Sequence, residues 1–178
     1  MKKLLLAAIV SLTTISSVAL AEIKVGIILG FTGPIESLTP AMRDSAKLAF
    51  AEVSASGALL GGETITPLIA DSTCVDSDAA VAAAELLVSD GAVAIMGADC
   101  SGVTGAIVTN VAVPNGITMV SPSATSPGLT SLADNGLFFR TAPSDAKGGQ
   151  VLAQVALDRG LTSVAVTYTN NDYGKGLA

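Results

Sequence analysis

Short apolar runs rich in β-branched residues recur along the chain, at Ile23–Leu29, Thr64–Ala70, Ala92–Gly97, Ile117–Val120 and Ser163–Tyr168. Between them lie stretches with helical spacing: Leu38, Met42, Ala46, Ala49 and Val53 form one apolar stripe, and Val81, Ala84 and Val88 form another. Strands that alternate with helices in this way predict βαβ units, hence an α/β protein with a parallel sheet flanked by helices on both faces. In open sheets of this kind ligands sit beyond the carboxyl ends of the strands. Four polar segments fall there: Gly30–Glu36, Asp71–Asp76, Ala98–Thr104 and Ser121–Thr130.

The last of these, SPSATSPGLT, carries five hydroxyl side chains and two prolines directly after an apolar run, so it decides what kind of edge this is. Pro122 and Pro127 fix φ and hold donors in place before any ligand arrives, which suits the grip of a polar group. A plain connection with Ser and Thr as helix caps is the competing reading. Ser101 is in a similar position: it opens a helix after the third run, where it reads as a cap or as part of an anion site suited to a carboxylate. With Thr125 on the neighbouring loop, two hydroxyls are expected to converge.

The first 21 residues read as a cleaved leader, with Lys2 and Lys3 as a basic start, Leu4–Val10 as the apolar centre and Ala19-Leu20-Ala21 as the cleavage signature. The apolar centre is too short and too interrupted by Ser and Thr to anchor in a bilayer. Without the two leader lysines, seven of the nine basic residues face fifteen acidic ones, which disfavours nucleic acid as a partner. The chain has no histidine, so Ser-His or Cys-His catalytic pairs and the common Cys/His zinc sites cannot be assembled. Gly26, Gly30 and Gly33 are spaced GxxxGxxG rather than GxGxxG, and a dinucleotide cofactor is not expected. Asp71, Asp76 and Asp78 lack the calcium-loop pattern and read as a solvated loop with helix caps. Cys74 and Cys100, the two cysteines, suggest a disulfide in an exported chain, with a free reactive thiol as the alternative.

From Leu137 the pattern changes. Leu137–Arg140 is short and extended, Thr141–Asp145 is a breaker, and a helix over roughly Lys147–Arg159 leads into the run Val164–Tyr168. Pro143 followed by Ser144 or Asp145 as a cap fits a hinge between two lobes, against one more αβ unit of a single sheet. Asn170–Gly174 reads as a loop and Lys175–Ala178 as the first turn of a helix, which predicts an N-terminal piece of a longer protein.

Taken together, these segments resemble the substrate-binding proteins of branched-chain amino acid ABC transporters, the leucine/isoleucine/valine-binding family. The resemblance rests on Ile23–Gly33 with Thr32-Gly33-Pro34, Asp71 with Cys74, Ser101, SPSATSPGLT, FFRTAPSD at Phe138–Asp145 and NDYGKGLA at Asn171–Ala178. It implies a type I periplasmic binding fold whose first lobe, 22–141, is nearly complete and whose second lobe is truncated, 142–178 being the hinge and its start. It also implies a periplasmic, monomeric, non-enzymatic binder of a small amino acid, branched-chain or aliphatic, that delivers it to membrane permease subunits and needs no cofactor or metal. By the same resemblance Ser101 and Thr125 bind the ligand carboxylate, Ser123 offers a backbone carbonyl to the ammonium group, Tyr173 closes over the ligand, and Cys74 and Cys100 form a disulfide. Leu38 stands as a pocket wall where leucine binders often carry tryptophan, which leaves amides or aromatic acids as alternative ligands. A ligand-sensing receptor domain of the same fold is the alternative role.

Overall fold

A computed structural model describes residues 22–178, and the leader expected at residues 1–21 lies outside the described residues. Strands β1 (Glu22–Leu29), β2 (Thr64–Asp71), β3 (Ala94–Gly97), β4 (Thr118–Ser121) and β5 (Phe138–Arg140) form one sheet in the order β2-β1-β3-β4-β5. Every pairing is parallel. The register lines up Leu68, Gly26, Ile95, Met119 and Phe138 in one row across all five strands. Because side chains alternate along a strand, this row belongs to one face, and it forms the floor of the hydrophobic core.

Helices α2 (Ser77–Ser89) and α3 (Ser101–Ile107) cover that floor, and α3 runs on through a π-helical turn, Val108–Ala112, into the short α4, Val113–Asn115. The expected stripe on α2 centres on Ala84, which is fully buried with Ala80 and Leu87 beside it. Gly26 lets this helix come close, since a Cβ there would lie 2.8 Å from the Leu87 side chain. Asp76 starts α2 by accepting from the amides of Asp78 and Ala79 at 3.1 and 3.0 Å, which accounts for one member of the acidic group as a cap. Full burial of a side chain such as Ile28, Ile95 or Met119 contributes roughly 1.5 to 3 kcal/mol each, so the fold rests chiefly on this face.

Cover on the second face is partial, and here the structure departs from the sequence reading. Helix α1 (Thr39–Ser56) lies along β1 and β2, over fully buried Ile27 and Leu29, whereas Val120 and Phe139 stay exposed on β4 and β5. The α1 stripe is also rotated from the expected one. Met42 and Ala46 are half-buried as expected, but Phe50 and Ser54 continue the row in place of Ala49 and Val53, and Leu38 precedes the helix. A row of i, i+4 residues is the ridge a helix lays along its neighbour, and Ser54 fixes it by accepting from the amide of Ile65 at 2.9 Å.

The run Ser163–Tyr168 is not a strand: it is exposed, with Val164 and Val166 each more than 60% accessible. A parallel strand takes its hydrogen bonds from a neighbour, and β5 pairs only with β4 among the described residues. The preceding helix, α5 (Asp145–Asp158), forms close to the expected bounds with Ser144 as its cap, donating nothing to the core. It packs against α6 (Asp172–Leu177), which Asn171 caps by accepting from the amide of Gly174 at 2.8 Å.

Gly97 ends β3 with φ +134°, and a Cβ there would run into the backbone carbonyl of Ile28. Backbone cannot give way as a side chain tip can, so Gly97→Ala should lower stability by about 2 kcal/mol or more. Urea unfolding checks this, and a midpoint equal to that of the parent protein would refute it.

Candidate functional site

The carboxyl ends of the strands carry the polar loops, and one residue joins them. Asp99, 4% exposed, follows β3. Its Oδ2 accepts from the Gly30 amide at 2.7 Å, while Oδ1 accepts from the Ser72 hydroxyl at 3.2 Å and from the Cys100 amide at 2.9 Å. Its backbone oxygen accepts from the Ser123 hydroxyl at 3.0 Å. The loops after β1, β2, β3 and β4 are thus held at a single point. Asp71 does similar work between two of them, accepting from the amides of Phe31, Thr32 and Thr73 and from the Thr32 hydroxyl.

Cys74 and Cys100 are bonded to each other, which decides the open question of the free thiol. The bond ties the loop after β2 to the start of α3 at the mouth of a cavity of about 870 Å³. Ser101, Ser123, Leu38 and Tyr173 all line this cavity, so four of the residues singled out in the sequence meet at one place. Pro34, Ile35, Val75 and Val103 make much of the wall apolar, and residues 169–173 form the opposite side. Concave sites of this size, apolar with few polar groups, are typical of small-molecule pockets of about 300 to 1,000 Å³. An adjoining cavity of about 690 Å³ shares Ser101 and Asp172 but lies outside the loop junction, along α3 and the turn Pro127–Ser131. Among the described residues no group of three His, Cys, Asp or Glu side chains is placed to hold a metal ion.

Thr125 behaves differently from its neighbours. It is not on the cavity wall, and Ser101 does not reach out alone, since its buried hydroxyl accepts from the Ser126 amide at 3.1 Å. Within SPSATSPGLT, Ser121 donates to the carbonyl of Ala98 and accepts from the amide of Ala124, and Ser123 donates to Asp99. The Thr125 Oγ1 is buried and has no partner. Among the described residues the Asp145 Oδ2, at the start of α5, is the other buried side-chain N or O atom without a partner within the protein, and the Asp145 amide donates to the Thr125 carbonyl at 3.0 Å.

Two of these residues were not singled out in the sequence as parts of a site. Asp145 was visible only as a cap at the start of a helix, and an acid in a first turn is too common to be informative. Asp99 precedes Cys100 without a motif around it, and its role depends on Gly30 and Ser72, 69 and 27 residues away.

Residues 22–178 match the family described as periplasmic binding protein. The Leu/Ile/Val-binding protein BraC3 of Rhizobium johnstonii is 32% identical over 177 residues, covering 99% of this chain and 47% of that protein. The chain therefore spans about half the length of the curated relatives it matches. A substrate-binding protein of an ABC transporter from Desulfitobacterium hafniense, solved in complex with Leu, superposes with TM-score 0.69 at 28% identity, covering 88% of this chain and 45% of that one. A solute-binding protein from Rhodopseudomonas palustris, in complex with 3,4-dihydroxybenzoic acid, superposes with TM-score 0.74 at 21% identity, covering 88% and 41%, and so shares the fold.

The Cys74–Cys100 bond closes a loop of 26 residues in sequence. Its loss in a Cys74→Ala/Cys100→Ala variant should reduce unfolding free energy by roughly 3 to 4 kcal/mol, read by denaturant titration. Burial pushes the Asp71 carboxyl up, but hydrogen bonds from the Thr32 side chain and from the amides of Thr73, Thr32 and Phe31 outweigh it, so the net shift is downward. A carboxyl with a lowered folded pKa stabilises the fold above its unfolded value and loses that contribution as pH falls through the folded one. Asp71→Asn should accordingly be less stable than the parent at neutral pH, with the difference closing below about pH 4. Thermal melts across pH 2.5 to 7 test this; a difference independent of pH would contradict it.

Proposed function

The chain belongs to the periplasmic binding protein family, and on that premise we propose that it is the ligand-holding part of a solute-binding protein serving an ABC importer. The ligand is a small amino acid, branched-chain or aliphatic. In this reading residues 1–21 export the protein to the periplasm, where it works as a monomer that passes its ligand to permease subunits in the membrane. It performs no chemistry on that ligand. Residues 22–141 form the first lobe and 142–178 the hinge with the beginning of the second, Tyr173 belonging to the side that closes.

One observation carries the reading: Ser101, Ser123, Leu38 and Tyr173 line one cavity whose wall is largely apolar, and Ser101 is bonded to the Ser126 amide, next along the chain from Thr125, whose buried Oγ1 makes no hydrogen bond within the protein. Buried polar atoms are nearly always hydrogen-bonded in native proteins, to the protein itself, to ordered water or to a bound group. A hydroxyl that donates and a carboxyl oxygen that accepts fit the two ends of an amino acid, its carboxylate and its ammonium group. Ser101 would join Thr125 at the carboxylate, and the Ser123 carbonyl would join the ammonium partners. Leu38, 61% exposed at the cavity, would meet the ligand side chain as an apolar wall. The names of the relatives, which bind leucine, isoleucine and valine, agree with a ligand of this chemistry. Among the described residues no helix is long and apolar enough to cross a membrane.

Titration calorimetry of the full-length protein with L-leucine, L-isoleucine, L-valine and benzoate tests the reading. Binding of the aliphatic amino acids is expected, and Thr125→Ala should weaken it by roughly ten- to a hundredfold, the effect of losing one hydrogen bond to a charged group. Unchanged affinity in Thr125→Ala would remove its assigned role, and tighter binding of benzoate would move the ligand to the aromatic acids.

A further inference from the structure

Arg140 sits at the end of β5, directly across from Ser121 in the sheet register, and so at the base of the SPSATSPGLT loop. Its guanidinium is directed into that loop. Nη1 donates to the carbonyl of Ser126 at 2.8 Å and to that of Ala124 at 3.3 Å, and Nη2 donates to the Thr130 hydroxyl. The Thr125 carbonyl lies between these two acceptors and takes the Asp145 amide instead. Three successive carbonyls, 124, 125 and 126, are thus each held from outside the loop.

This arrangement bears directly on one side chain. The peptide planes on either side of a residue define its φ and ψ, and those angles set the direction of its Cα–Cβ bond. The plane between Ala124 and Thr125 is held through its oxygen by Arg140, and the plane between Thr125 and Ser126 is held through its oxygen by Asp145 and through its nitrogen by Ser101. Among the described residues no other side chain is bonded to two of the three carbonyls. Arg140 also forms none of the ion pairs found among the described residues, where Arg43 pairs with Asp44. Its donors go to neutral oxygens, which a guanidinium can span as a rigid planar fork and an ammonium cannot.

We propose that Arg140 is the positioning residue of the site, setting the aim of the Thr125 hydroxyl by clamping the carbonyls of Ala124 and Ser126. The proposal rests on the reading that Thr125 meets the ligand. Arg140 itself touches no ligand in this scheme, so it acts on affinity through the loop alone.

The experiment measures L-leucine, L-isoleucine and L-valine binding by calorimetry on the full-length protein, the Arg140→Lys and Arg140→Ala variants, and Thr130→Val at an exposed position. Arg140→Lys keeps the charge but not the fork, and is expected to bind at least about tenfold more weakly, with its melting temperature lowered by only a few degrees. In Arg140→Ala, millimolar ethylguanidinium should restore part of the lost affinity and ethylammonium should not, a distinction that a loss of general stability would not produce. Affinity in Arg140→Lys within twofold of the parent protein would overturn the proposal. Should that variant fail to fold, the same criterion applied to Arg140→Gln, which also removes the two-carbonyl clamp, decides, while Thr130→Val leaves that clamp in place and is expected to bind within twofold of the parent. If the parent protein binds none of the three amino acids, the functional reading fails first, and the two failures are distinguishable.

Discussion

The Asp99 carboxyl group is the point on which the site depends. Taking such a group out of water costs several kcal/mol unless donors replace the lost hydration. Three do so, from Gly30, Ser72 and Cys100, and each comes from a different position on the sheet edge. The cost of burial therefore becomes a condition on the fold: the carboxyl is satisfied only when the loops after β1, β2 and β3 are all in place. Ser123, bonded to the backbone oxygen of the same residue, extends the condition to the loop after β4. Loops with few apolar contacts of their own are ordinarily the mobile part of an α/β protein. Here their polar groups converge on one centre, and the cavity wall inherits the rigidity of the sheet.

Much of this architecture is legible in the sequence because its signals are local. Each of the first four apolar runs became a strand of the parallel sheet, to within a residue or two at its ends, and the polar segments after them gather at one edge as the strand-end rule requires. What could not be read is non-local. The five-strand row from Leu68 to Phe138 is a property of register, and register is set by packing of the whole face. The α1 stripe shows the limit well: its spacing predicted a helix, but which i+4 row faced the sheet depended on where Ser54 could meet the Ile65 amide. Ser163–Tyr168 shows it again, since a β-branched run has strand propensity but a strand exists only where another strand offers hydrogen bonds.

The site divides along the same line. Ser101, Ser123, Leu38 and Tyr173 could be named from motifs and meet at one cavity, whereas Asp99 and Arg140 bond partners, and the Asp145 amide meets the Thr125 carbonyl, only in the folded chain. Composition alone would have treated the hydroxyls of SPSATSPGLT as equivalent. In the structure Ser121 ties the loop to Ala98, Ser123 ties it to Asp99, and Thr130 receives Arg140, so three of the five serve the loop itself. Abundance of hydroxyl groups marks a tied loop, and only the folded chain shows which of them are spent on holding it.

That remaining group has an energetic consequence. A buried donor or acceptor without a partner costs about 1 to 3 kcal/mol, a sizeable fraction of the stability of a single domain. Thr125 Oγ1 and Asp145 Oδ2 find no partner within the protein, whereas every oxygen of Asp99 has one. A loop hydroxyl can turn about its own side-chain bonds, but the backbone that carries Thr125 is held on three successive carbonyls. A looser loop would let the hydroxyl turn to an internal acceptor, whereas a loop held at its carbonyls keeps the direction of the donor fixed.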